Sequence, residues 1–232
     1  MVDKIDTQFC LIVFDLHPDW DSLPPRFACG SWVSASLKNK NILKCILMGV
    51  SSEDISTWNI QSADFSALKN NRLEIYPYVH KPSIVFLKPV PENISLEVKR
   101  GLLNHKISWG ELKGRDLSSD LLSIIKRLPS KKVYLSIDKD CLSKDYALTN
   151  WEGGVLPLEE LLLMLKVVKE NVEIIGVDIT GDYSPAYVSG KLKALCSRLD
   201  HPKDFSAKGF DEAHINAANE ATNLKILQLL VS

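Results

Sequence analysis

The stretch IVFDLHPDW, residues 12–20, decides how this chain is read. An apolar run of strand character passes straight into two carboxylates and an imidazole at alternate positions. Side chains at i, i+2 and i+4 of an extended segment share a side. Asp15, His17 and Asp19 therefore converge wherever extended geometry persists, and Pro18 predicts that the strand ends about there. Burying such a cluster is costly unless something positive sits among the carboxylates.

Further along, KVYLSIDKDCL repeats the pattern: Val133 to Ile137 read as a strand, and Asp138 and Asp140 follow on one side of its end. Other strand-like runs are 9–15, 42–50, 73–79, 83–90 and 172–179, most of them apolar almost throughout. Continuous hydrophobicity fits parallel strands covered on both faces. Between them, 118–129, 156–171 and 211–230 read as helices; the second has an acidic first turn and basic residues near its end, as helix polarity favours. Alternating strands and helices predict a three-layer α/β/α fold, a doubly wound and mainly parallel sheet with right-handed crossovers. The polar segments 51–72 and 183–210 read as loops, and 76–93, with four prolines, is poor material for a central strand.

The chain of 232 residues is expected to form one α/β domain over 1–232, large enough to need no disulfide or metal staple. With 28 basic and 29 acidic residues, its net charge of -1 offers bulk electrostatics no purchase on nucleic acid or an anionic membrane, although a local basic patch stays open. The beginning of the sequence shows neither a signal peptide nor a membrane span. Five scattered cysteines without a CxxC pair predict reduced thiols in a cytoplasmic protein.

In such a sheet ligands collect beyond the carboxyl ends of the strands. If the two acid-tipped strands are neighbours, Asp15, His17, Asp19, Asp138 and Asp140 face one crevice. Four carboxylates and one imidazole repel unless a divalent cation, or two, joins them. One such motif alone would be weak evidence, since strand-end acids often cap a following helix; a second at another strand end shifts the reading to metal. The oxygen-rich set suits Mn²⁺ better than Zn²⁺, and Fe²⁺ also fits.

DLHPD (15–19) and SIDKD (136–140), in this order and spacing, resemble the D-x-H-x-D and S-[IF]-D-x-D signatures of the ureohydrolases, the arginase and agmatinase group. LKCILMGV (43–50), NWEGGVLPLEELLLML (150–165) and GVDITGDYSPAY (176–187) are similar to that family's intervening strand, its Gly-Gly turn before a helix and its late strand. The resemblance implies an arginase-like fold and a two-metal site. Asp15 and Asp138 would bridge the ions, Asp19 would hold one, and His17 with Asp140 the other. It implies a small-molecule substrate whose linear C–N bond, in a guanidine, amidine or amide, is hydrolysed by metal-activated water. Asp182 lies near the place of the family's guanidine-binding glutamate, with Gly181 competing for the position.

Three departures qualify this expectation. The family's N-terminal Gly-Gly-Asp-His motif has no counterpart, so the chain reads as N-terminally shortened. Without that motif's histidine one ion loses a ligand, which leaves open a one-ion site similar to that of the metal-dependent deacetylases, or an idle relative that binds metal without turnover. The loop 24–37 lacks the family's proton-transfer histidine, and His80 is the candidate replacement. Finally, the strand at 172–179 becomes a sheet edge. Such edges are usually covered, here by the segment 1–10, by 191–232, or by a partner chain as in a homo-oligomer.

Overall fold

The computed structural model describes residues 2–21, 29–149, 152–183 and 212–232. Most of the loop expected at 183–210, and 191–211 as an edge cover, lie outside these residues. Eight strands occur among them: β1 (Phe9–Phe14), β2 (Ile42–Met48), β3 (Leu73–Tyr76), β4 (Ser83–Phe86), β5 (Leu96–Arg100), β6 (Asn104–Trp109), β7 (Lys132–Asp138) and β8 (Glu173–Thr180). The helices are α1 (Trp32–Ser36), α2 (Ser66–Lys69), α3 (Leu117–Lys126), α4 (Leu158–Asn171) and α5 (Glu212–Val231).

Five strands form a parallel sheet in the order β3-β2-β1-β7-β8. Every residue of β1 is fully buried, and its side chains divide by parity. Cys10, Ile12 and Phe14 enter the core beneath α3 and α4, whereas Phe9, Leu11 and Val13 enter the core on the opposite face. That double burial is why the run lacks a polar stripe. The expected pairing holds: β1 and β7 are hydrogen-bonded neighbours, with Phe14 beside Ile137, so both acid-bearing turns leave the sheet at one end.

Each outer helix buries one face. On α4, Leu158, Leu161, Met164, Leu165 and Val168 are buried at helical spacing, and Glu159 and Glu160 occupy its first turn. Asp116 caps α3 by accepting a hydrogen bond from the Ser119 amide. α5 packs on α4 and inserts Ile226 into the same core.

The opposite layer is mixed. It carries α1, several short helical turns and a three-stranded antiparallel sheet, β4-β6-β5, whose Val85, Ile107 and Trp109 face the core. Here the sequence reading needs correction at three places. The run 73–79 stops as a strand at Tyr76, before Pro77, and 83–90 contributes only Ser83–Phe86, to the accessory sheet rather than the main one. The segment 51–72 is not loop throughout, because it contains α2 and two 3-10 turns. β8 is the edge strand, as expected, with its six inner residues half-buried. Of the proposed covers, Phe9 and Cys10 belong to β1 and α5 packs on α4, while Val2 and Asp3 line one cavity with Asp178 and Thr180 of β8.

Candidate metal centre

β1 ends at Phe14 and the chain turns at once. Asp15 closes the turn through its own carboxylate, whose Oδ1 accepts the His17 amide at 2.8 Å. The second motif is built alike: Asp138 Oδ1 accepts the Asp140 amide at 3.0 Å, and Thr180 Oγ1 donates to Asp138 Oδ2 at 2.9 Å. The motif residues converge by side-chain-capped turns, not by continued extended alternation. Asp19 departs further, with a left-handed φ of 45°. The turns are stitched together where the Leu16 amide donates to Asp140 Oδ1 at 3.1 Å.

The ligand-capable atoms of Asp15, His17 and Asp140 all lie within 4.8 Å of one another. His17 Nδ1 is 3.0 Å from Asp140 Oδ2 and 3.7 Å from Asp15 Oδ1. Asp15 and Asp140 are buried, so this charge is held out of water. Asp19 and Asp138 fall outside the tight trio but line an adjoining cavity of about 520 Å³ together with Asp15. Its wall includes Trp32, and its remaining acids are Asp3 and Asp178. No lysine or arginine lines it among the described residues. A larger groove of about 840 Å³ lies between Phe65 and the turn at Lys88–Glu92, without a comparable cluster of ligand-type side chains.

The protonation states follow from this crowding. Burial pushes the Asp15 carboxyl up to about 7, with the charges of Asp140 and Asp138 adding to it against a hydrogen bond to His17. Burial first and Asp15 second raise Asp19 to about 9, and burial with Asp140 raises Asp138 to about 6. For His17, burial alone would lower the value, but its hydrogen bonds to Asp140 and Asp15 win and hold the imidazolium up to about 11. Among the described residues, a protonated histidine is thus the sole cation within this cluster, facing several carboxylates. A divalent ion fits the same place: two carboxylates and one imidazole are at ligand distance. The nearly buried Asp19 carboxylate accepts no hydrogen bond from a described residue.

Asp178 and Thr180 were not singled out from sequence. The β7–β8 register sets Ser136 beside Asp178 and Asp138 beside Thr180, and Ser136 Oγ donates to Asp178 Oδ1 at 2.7 Å. The signal was available, since Asp178 and Thr180 alternate at the end of a strand as Ser136 and Asp138 do. Asp182 and His80 are not among the described cavity-lining residues. Asp182 forms an ion pair with the fully buried Lys139 and approaches Asn223 Nδ2 of α5 at 3.4 Å. His80 Nδ1 lies 2.6 Å from the Lys81 carbonyl oxygen.

Two glycines hold the second turn in shape. Gly154 donates to the Asp140 carbonyl at 2.7 Å, and a Cβ there would come within 2.1 Å of the Cys141 carbonyl oxygen. Close backbone approach, rather than turn conformation, explains this glycine. Gly181 has φ +82°, and a Cβ on it would meet Asp138 Oδ1 at 2.4 Å. A larger side chain at 181 therefore collides with the motif it would have to serve.

The sheet order, the flanking layers and acid-bearing turns at adjacent strand ends define an arginase-like α/β fold. Among solved structures, the chain is similar to arginase from Bacillus subtilis (TM-score 0.57, 13% identity, 100% of this chain and 65% of that one). It is similar also to formimidoylglutamase from the same organism (TM-score 0.54, 15% identity, 99% and 55%) and to a hypothetical agmatinase from Burkholderia thailandensis (0.51, 18%, 98% and 53%). An uncharacterized protein of Thermotoga maritima is 27% identical over 186 residues, 80% of this chain and 52% of the relative. The chain thus spans roughly half to two thirds of the length of these proteins. No protein-family model matches it.

Proposed function

We propose that this chain is a metal-dependent hydrolase that cleaves a linear C–N bond in a guanidine, amidine or amide. The observation that carries the reading is the meeting of Asp15, His17 and Asp140 from two adjacent strand ends, beside a cavity that Asp19 lines. Asp15, His17 and Asp140 would hold the ion, with Asp19 and Asp138 as further oxygen donors on the cavity side. One nitrogen among oxygens suits Mn²⁺, with Zn²⁺ and Fe²⁺ as the competing occupants. A divalent cation bound there supplies a Lewis acid and a water acidified toward neutral pH.

The chain's own groups do the remaining work. Asp140 and Asp15 hold the His17 proton in the metal-free chain; His17 would release it to solvent to serve as a neutral ligand. Asp19, raised to about 9 by burial first and Asp15 second, holds a proton at neutral pH and would give it up on becoming an oxygen donor to the ion. The acid-lined wall rejects anionic substrates and accepts cationic or neutral ones, while Trp32 excludes water on one side. Buried, unpaired Cys10, Cys45 and Cys141 agree with a reducing, cytoplasmic setting. No helix among the described residues is long and apolar enough to cross a membrane.

A second reading, an idle relative that binds metal without turnover, is favoured by one observation: no histidine lines the cavity among the described residues. Both are tested by loading the protein with Mn²⁺ and screening agmatine, arginine, guanidino acids, formimino compounds and acetylated amines. Release of urea, ammonia, formamide or acetate that disappears in Asp15→Ala supports hydrolysis. Stoichiometric metal with no product from any class supports the idle relative, and failure to bind metal removes both.

A further inference from the structure

The feature left unexplained by the metal centre is the tip of the accessory sheet. The turn joining β5 to β6 exposes Leu102 (99%) and Leu103 (66%). Leu87 is 84% exposed beside them, its amide donating to the Leu103 carbonyl at 3.2 Å. Phe86 (41% exposed) and Trp58 (81%) continue the patch, their ring centroids 6.4 Å apart. Five contiguous apolar side chains expose on the order of 700 Å² here, beyond the patch a monomer ordinarily leaves to water. Leu87 holds this place at φ 52°, a conformation that costs a side chain with a Cβ.

The collar around the patch is basic. The hairpin reads EVKRGLLNHK over residues 97–106, three cations and a histidine against one acid, Glu97, while Lys88 turns its ammonium to the Ala63 carbonyl and the Phe65 ring. The nearby Glu92 is already paired with Arg100 at 2.7 Å. A net charge of -1 for the whole chain conceals this local excess.

We propose that this tip docks on an anionic lipid surface, with Leu87, Leu102 and Leu103 entering the boundary between headgroups and acyl chains. Trp58 sits at the interface, and Lys99 and Lys106 face lipid phosphates. A projecting apolar hairpin collared by cations matches a deformable, negatively charged surface. A second copy of the chain is the competing occupant, since the exposed Glu97 beside Lys99 could answer Lys99 or Lys106 of another copy, and gel filtration separates the two.

The test is co-sedimentation of the full chain with vesicles of phosphatidylcholine alone or mixed with phosphatidylglycerol, at low and high salt. The expected result is pelleting with the mixed vesicles at low salt and release by salt. Leu102→Ser with Leu103→Ser, and separately Lys99→Glu with Lys106→Glu, should each weaken partitioning by about tenfold or more. All four positions are exposed, so thermal unfolding should match wild type, and the two independent pairs guard against one that misfolds. Wild-type protein that stays in solution with mixed vesicles, or variants that bind as wild type does, would overturn the proposal. So would a concentration-dependent dimer in gel filtration that the leucine variant abolishes, which would assign the patch to self-association.

Discussion

Adding Mn²⁺ to metal-free protein should expel protons, and the number follows from the site. At pH 7 the His17 imidazolium, held up to about 11, is fully protonated; Asp15, at about 7, carries half a proton; Asp19, at about 9, is protonated. An ion that takes only Asp15, His17 and Asp140 therefore displaces about 1.5 protons, and one that also recruits Asp19 displaces about 2.5. Near pH 10 both carboxyls are largely ionised already, and the count falls to about one, from His17. Isothermal titration of Mn²⁺ in buffers of different ionisation enthalpy measures this number, and the pH dependence of the affinity gives the same value as its slope. Zero proton release at pH 7 would refute the reasoning, because it would mean that the carboxylates stand ionised around a neutral imidazole.

The same protonation pattern sets stability. Asp15, Asp19 and His17 all have folded-state values above their ordinary 3.8 or 6.5, so their contribution is complete at low pH and is lost as pH rises through about 7, 9 and 11. The melting temperature of metal-free protein should accordingly fall between pH 6 and pH 10, and saturating Mn²⁺ should remove most of that fall; a flat profile without metal contradicts this. Gly154→Ala, by driving a methyl into the Cys141 carbonyl, should cost about 2–3 kcal/mol in urea denaturation and weaken Mn²⁺ binding. A change under about 0.5 kcal/mol would show that the turn yields more easily than its geometry implies. Lys139→Met replaces a fully buried cation with an isosteric apolar chain and should be near neutral, whereas Asp182→Ala strands the ammonium at a cost of about 2 kcal/mol, reduced because Asp182 is half-exposed. Equal losses from the two changes would argue against that asymmetry.

The strands that build the site were legible because they are buried on both faces, which removes the polar stripe and leaves unbroken apolar runs such as FCLIVF and the middle of β7. Their adjacency was the condition on which a shared crevice rested, and the β1–β7 register meets it. The accessory sheet was not legible for the converse reason. β5 and β6 expose charges on one side, β4 is four residues long between proline-rich turns, and such short strands gain their identity from packing on Trp109 and Ile107. Within the site, Asp15, His17 and Asp140 could be named from spacing, but the way they meet could not. Alternation in a strand does not foretell that Asp15 and Asp138 each fold back on the amide two residues ahead. Gly154 read as a simple turn former, since nothing in the sequence shows that the Cys141 carbonyl passes beneath it.

The convergence of two strand ends on one cation is tested most directly by crystals of the chain grown with Mn²⁺ and measured for anomalous scattering at the manganese edge. The account predicts a peak bound by Asp15, His17 and Asp140, open toward the cavity that Asp19 lines. Manganese bound elsewhere, or no peak at saturating Mn²⁺, would contradict it.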